Sequence, residues 1–155
     1  MSTTTTTANA YGVGIMTMIV GLAAVIVFYQ SFYLPESLQK PAVDEHILHP
    51  LNTLNIDIIL GSANADQTDN YQPKTANIQL GVDNHVIWFN SDDIAHTVTP
   101  DEPTVDSYSG EFGSIGVIRP GETYEFVFTE SREIPYHCEP HPWMTGLLEI
   151  TKQRF

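Results

Sequence analysis

No charged side chain occurs between Met1 and Pro35, and this limits what the first part of the chain can become. From Gly12 to Leu34 the sequence reads GVGIMTMIVGLAAVIVFYQSFYL, broken only by Thr17, Gln30, Ser31 and tyrosine hydroxyls. As a helix rising about 1.5 Å per residue, such a run spans about 34 Å, slightly more than the hydrocarbon core of a bilayer. Phe28, Tyr29, Phe32 and Tyr33 crowd its C-terminal end, where an interfacial aromatic belt would lie, and Pro35 is expected to end the helix. The preceding STTTTTANA carries no Lys or Arg, and no small-x-small cleavage site follows the apolar run. Both features favour a retained anchor over a cleaved signal peptide. The expected organisation is a polar tail at 1–11, a transmembrane helix at 12–34 in contact with the lipid bilayer, a linker at 35–52 and a globular domain at 53–155. Lys40 is the sole basic residue near either end of the span, so charge does not set its orientation.

All the ionised residues therefore follow Pro35: 19 acidic against 6 basic, a net charge of −13. Such a surface repels phosphate backbones and excludes nucleic acid as a partner. The single cysteine, Cys138, excludes an internal disulfide, a four-cysteine zinc site and an iron–sulfur cluster held by cysteines alone. Within the linker, Pro41 to Pro50 (PAVDEHILHP) places His46 and His49 beside Asp44 and Glu45, a candidate second metal site at a spacing more common in solvated sequence.

Beyond residue 52 the pattern is two-residue alternation broken by turn chemistry. Leu54, Ile56, Ile58 and Leu60 alternate with polar residues, as do Ala76, Ile78 and Leu80. Gly81-Val82-Asp83-Asn84 turns into Val86-Ile87-Trp88-Phe89, and Arg119-Pro120-Gly121-Glu122 suits a type II turn before Tyr124, Phe126 and Phe128. Gly146 to Ile150 forms a last run. Short strands with regular turns over about 100 residues predict an all-β antiparallel sandwich or barrel.

The chemistry concentrates in Tyr136-His137-Cys138-Glu139-Pro140-His141-Pro142-Trp143-Met144, where a thiolate, an imidazole and a thioether arrive at Cys-x2-His-x2-Met. His96, 42 residues upstream, follows a strand in Asp92-Asp93-Ile94-Ala95-His96-Thr97-Val98-Thr99. Two imidazoles and a thiolate with a weak axial thioether are the donor set of a mononuclear copper electron-transfer site. Prolines on both sides of His141 stiffen the loop, which suits an ion whose ligands should barely move between oxidation states. Zinc is poorly served by this set, because a thioether adds nothing to it.

These residues carry a resemblance. The stretch from Asn52 to Lys152 resembles the cupredoxins, closest to the plastocyanin and amicyanin group. CEPH followed by PWM looks like a plastocyanin-type start on an amicyanin-length loop. YQPKTANIQLGVDNHVIWFNSDDIAHTVT is similar to the segment carrying the first histidine, and IRPGETYEFVF to the strand before the cysteine. The resemblance implies a cupredoxin-like Greek-key β-sandwich or barrel binding one type 1 copper per chain, with His96, Cys138, His141 and Met144 as ligands. Two departures stand out. Thr97 occupies the position where many plastocyanins place Asn, which ties the two loops and bears on the reduction potential. The segment from Asp106 to Gly116 (DSYSGEFGSIG) is also long and glycine-rich.

The function so implied is a membrane-anchored blue copper protein, not an enzyme, carrying single electrons between respiratory-chain partners. It is expected to be a single-pass protein of the cell membrane with its cupredoxin domain on the extracytoplasmic side. Pro140, Pro142 and Trp143 form the expected docking patch around His141, and the acidic surface would steer a positively charged redox partner. Two alternatives remain. His137, directly before Cys138, resembles the histidine by which nitrite reductases and multicopper oxidases bind a second copper, although a strand would point it away from Cys138. A helix followed by a cupredoxin also looks like an oxidase subunit. The binuclear copper of such a subunit needs two cysteines, which leaves permanent membership of a membrane complex as the open form of that reading.

Overall fold

A computed structural model describes residues 5–37 and 42–152; residues 1–4 of the polar tail, 38–41 of the linker (Lys40 among them) and 153–155 of the domain lie outside the described residues. The chain divides into two units, residues 1–40 and 41–155. The first is helical: α1 (Thr5–Phe28) passes through a wider π-helical turn (Tyr29–Tyr33) into α2 (Leu34–Ser37). The helix thus continues past Pro35. The Leu34 N–H bonds the carbonyl of Tyr29, five residues back, and Pro35 falls in the first turn of α2, where its missing N–H costs little. Phe28 stacks on Phe32 at 5.3 Å and Tyr29 on Tyr33 at 5.1 Å. From Tyr11 to Glu36 the helix is apolar and long enough to cross a membrane, and its large side chains, Met18 and Val25 among them, are exposed.

The second unit begins with α3 (Glu45–Leu48) and is otherwise built of strands. These are β1 (Thr53–Ile58), β2 (Tyr71–Gln72), β3 (Thr75–Gln79), β4 (His85–Asn90) and β5 (Thr99–Pro100). They continue with β6 (Val105–Asp106), β7 (Gly110–Glu111), β8 (Thr123–Val127), β9 (Glu133–Cys138) and β10 (His141–Thr151). One sheet has the order β2-β1-β4-β8, the other β3-β10-β9-β5, and β6 with β7 makes a small hairpin. The sandwich is not purely antiparallel: β1 runs parallel to β4, with Ile56 opposite Trp88, and β3 parallel to β10, with Ile78 opposite Ile150. The chain between β1 and β4 visits the other sheet as β3, which supplies the long crossover that parallel neighbours need.

The alternating residues fill the space between the sheets. Ile56, Ile58, Ala76, Ile78, Leu80, Val86 and Trp88 are all buried. Leu60 is not: β1 ends at Ile58, and Leu60 lies 67% exposed in the following turn. Trp88 anchors the centre, with the rings of Tyr124, Phe112 and Tyr136 at 5.4, 5.7 and 6.0 Å. Burying an aromatic side chain of this size contributes about 1.5–3 kcal/mol, and the edge-to-face pairs add to it. At the turn into β8, Gly121 takes φ +77°, the left-handed conformation a type II turn demands, and the Glu122 N–H reaches the Arg119 carbonyl at 2.9 Å.

Part of the expected linker is folded. Ile47 of α3 packs against the core, and the Asn84 side chain donates to the carbonyls of Ile47 (2.8 Å) and Phe128 (2.7 Å). The His46 ring lies over Gly81, where an added Cβ would come within 2.4 Å of it, and Gly81 itself has φ +79°. His49 pairs with Glu45 at 3.1 Å on the surface. The two histidines are thus engaged separately and do not join in a metal site. This docking lies at the His85 end of β4, about 17 Å of strand from the Asn90 end.

Asp106 holds the β6–β7 hairpin in place. Its carboxylate accepts the backbone N–H groups of Tyr108, Ser109 and Thr129 and the Thr129 hydroxyl, at 2.7–3.0 Å. Burial alone would push its pKa up; these donors outweigh burial and hold it below the ordinary 3.8. A carboxylate with a depressed folded pKa stabilises the fold above its ordinary pKa and loses that contribution as pH falls through the folded value. Asp106→Asn is therefore expected to be less stable than wild type near neutrality, with the gap closing below pH 3.8. Urea unfolding of both chains across that range checks it, and a gap independent of pH would refute the charge's role.

Candidate metal centre

The Asn90 end of β4 opens the first loop of the site. The Asn90 side chain donates to the carbonyls of Ile94 (2.8 Å) and Ile118 (2.9 Å), and the backbone of His96 pairs in both directions with Ile118. His96 is thereby fixed before its side chain makes any contact, and it is fully buried. The second loop joins β9 to β10. Along β9, Ile134, Tyr136 and Cys138 face the interior while His137 faces outward, where its Nδ1 lies 2.6 Å from the Asp101 carboxylate. His141 opens β10 opposite Cys138, and Met144 on the same strand is fully buried.

His96, Cys138 and His141 converge. The Cys138 Sγ lies 3.6 Å from His96 Nδ1 and 3.5 Å from His141 Nδ1, and the two nitrogens are 3.1 Å apart. The circle through three such points has a radius of about 2.0 Å, the length of a metal–imidazole bond. A metal ion therefore fits among these donors without their moving, and one thiolate with two imidazoles suits copper. Among the described residues this is the one cluster of its kind. His96 and Cys138 are buried and His141 is partly exposed, so the site meets solvent through the His141 ring.

Thr97 bridges the two loops. Its hydroxyl accepts the Glu139 N–H at 2.8 Å and shares a hydrogen bond with the Thr99 hydroxyl at 3.0 Å. Its own N–H donates to the Cys138 sulfur at 3.3 Å. The tie that many plastocyanins assign to Asn is made here by a smaller hydroxyl. Behind His96, Nε2 donates to the Asp92 carboxylate at 2.8 Å, with both side chains fully buried. Asp92 was not singled out by sequence, although its place four residues before His96 was the available signal.

These contacts set the electrostatics of the metal-free chain. Burial opposes charge on Asp92, but the N–H groups of Gly61, His96, Asp93 and Ala63 prevail and hold its pKa at about 2. Burial likewise opposes charge on His96, and the Cys138 sulfur and Asp92 carboxylate prevail to raise its pKa. Burial opposes the Cys138 thiolate, while His96 and the Thr97 N–H win and lower the thiol's pKa. His141 is lowered, first by burial and then by His96. Around His141, Pro140 and Pro142 are exposed and Trp143 is 39% exposed. The Trp143 indole also donates to the Ser62 carbonyl at 3.1 Å, and its ring centroid lies 5.3 Å from that of His141.

Residues 61–151, more than half the chain, match the copper binding proteins of the plastocyanin/azurin family. Amicyanin from Paracoccus denitrificans is 31% identical over 78 residues, half of this chain and 56% of the amicyanin, so the match spans little more than half the length of that curated relative. Among solved structures, a novel purple cupredoxin from Nitrosopumilus maritimus superimposes with a TM-score of 0.52 at 27% identity, covering 63% of this chain and 99% of that one. An oxidised amicyanin variant aligns with a TM-score of 0.48 at 21% identity, over 64% of this chain and 82% of its own.

The Thr97 bridge is open to direct measurement. Thr97→Val removes the hydroxyl that accepts the Glu139 N–H and is expected to cost about 1 kcal/mol, whereas Thr97→Ser retains the bond and most of the stability. Denaturant midpoints of the metal-free chains decide; equal stability of the valine variant and wild type would remove the bridge from the account.

Proposed function

We propose, from the premise that this chain belongs to the plastocyanin/azurin family of copper-binding proteins, that it is a membrane-anchored carrier of single electrons rather than an enzyme. The observation that carries this reading is the convergence of His96 Nδ1, Cys138 Sγ and His141 Nδ1 on one point from two loops. In the proposal these three would hold one type 1 copper, and the thioether of Met144 would serve as a further, weaker ligand. Bound there, copper supplies a one-electron couple between its two oxidation states. The chain's own residues do the rest. Ile118 and Asn90 fix His96, the Thr97 N–H holds the sulfur, and the Thr97 hydroxyl binds the cysteine loop to the histidine loop.

A partner docks where the ligand set comes closest to solvent, over His141 and the exposed Pro140, Pro142 and Trp143. The net charge of −13 favours a positively charged docking face on that partner. The apolar helix from Tyr11 to Glu36 supports a single-pass anchor in the cell membrane; the proposal adds, on the family's pattern alone, a cupredoxin domain on the extracytoplasmic side and respiratory proteins as donor and acceptor. An anchor confines the carrier to two dimensions and raises its effective concentration near membrane partners.

The full-length protein in detergent, loaded with copper(II), is expected to hold one copper per chain and to show an intense thiolate-to-copper band that ascorbate bleaches. Cys138→Ser is expected to stay colourless. Fractionated cells are expected to retain the chain in membranes through high salt and to release it on removal of residues 1–37. Absence of the band, or preference for zinc over copper, would defeat the carrier reading; a chain found wholly in the soluble fraction would defeat the anchor alone.

A further inference from the structure

We infer that Asp92 is a positioning residue for the proposed copper ligand His96: its carboxylate fixes which imidazole nitrogen faces the metal and lowers the reduction potential of the site. The inference rests on the carrier reading. A carboxylate 2.8 Å from Nε2, with both side chains fully out of solvent, requires Nε2 to carry a proton. In the neutral ring that a metal binds, the lone pair is then left on Nδ1, the atom that faces Cys138 Sγ and His141 Nδ1.

Asp92 can do this because it is itself held. Its Oδ1 accepts the N–H groups of Gly61 (2.9 Å) and Asp93 (2.8 Å), and its Oδ2 accepts the Ala63 N–H at 3.2 Å beside the His96 bond. Its own N–H donates to the Asn90 side chain at 2.9 Å. Between Gly61 and Ala63, the carbonyl of Ser62 receives the Trp143 indole, whose ring packs near His141. One turn after β1 thus braces both imidazoles, His96 through the carboxylate and His141 through the indole. A hydrogen bond from a ligand imidazole to a carboxylate raises the ligand's basicity, and a fixed negative charge behind the ring favours the higher oxidation state over the lower.

The test compares full-length wild type with Asp92→Asn in detergent. The variant keeps the shape and an acceptor oxygen but loses the charge. It is expected to hold one copper per chain, with copper(II) affinity in chelator competition reduced about 10–100-fold. Copper(I) affinity is expected to fall less, so the potential rises, by about 59 mV for each tenfold difference between the two losses. In the copper-free wild type, nitrogen-15 spectra are expected to show His96 protonated on Nε2, a readout that needs neither metal nor variant. An Asp92→Asn chain that folds with unchanged affinity and potential overturns the inference while leaving the carrier reading intact. So does a His96 protonated on Nδ1, which decides the matter even if the variant fails to fold. A wild type that binds no copper sinks both.

Discussion

Two imidazole nitrogens and a sulfur are held within 3.6 Å of one another, and such closeness of three donors from two separate loops has to be imposed by the fold. Something other than the side chains must enforce it, and here that is backbone. His96 is locked into a bridge with Ile118, and Cys138 and His141 are opposite one another across the β9–β10 pair. Thr97 fastens the two loops through a bond at each end. The sandwich beneath, with Trp88 and Tyr136 buried at its centre, is the base on which both loops are mounted. Removing the base would let the donors relax apart.

Much of this was legible in the chain itself. Alternation located β1, β3, β4 and β8 because each buries one face, and the motif with His96 pointed to His96, Cys138 and His141, the three donors that converge. What local pattern could not show is which strands neighbour one another. Parallel pairing of β1 with β4 is decided by the path of the intervening chain, and alternation is blind to that path. Leu60 fit the alternation yet lies outside the strand, because its turn serves the Asp92 carboxylate instead of the core. Asp92 and Asp106 read as ordinary surface acids until the N–H groups around them are seen. Pro35 looked like a helix stop because sequence does not announce the wider turn before it.

The acid-rich composition also resolves into two populations. Most carboxylates face solvent and contribute to the field felt by an approaching protein. Asp92 and Asp106 are buried, each surrounded by N–H donors, and act on the fold from within. The same residue type thus serves recognition at long range and architecture at short range, and burial separates the roles.

The docking of α3 at the His85 end of β4, with the His96 loop leaving from the Asn90 end, puts the first folded turn of the second unit and the donor atoms at opposite ends of one strand. Mechanical disturbance arriving along the upstream chain must traverse the length of a hydrogen-bonded sandwich before it reaches His96 or Cys138.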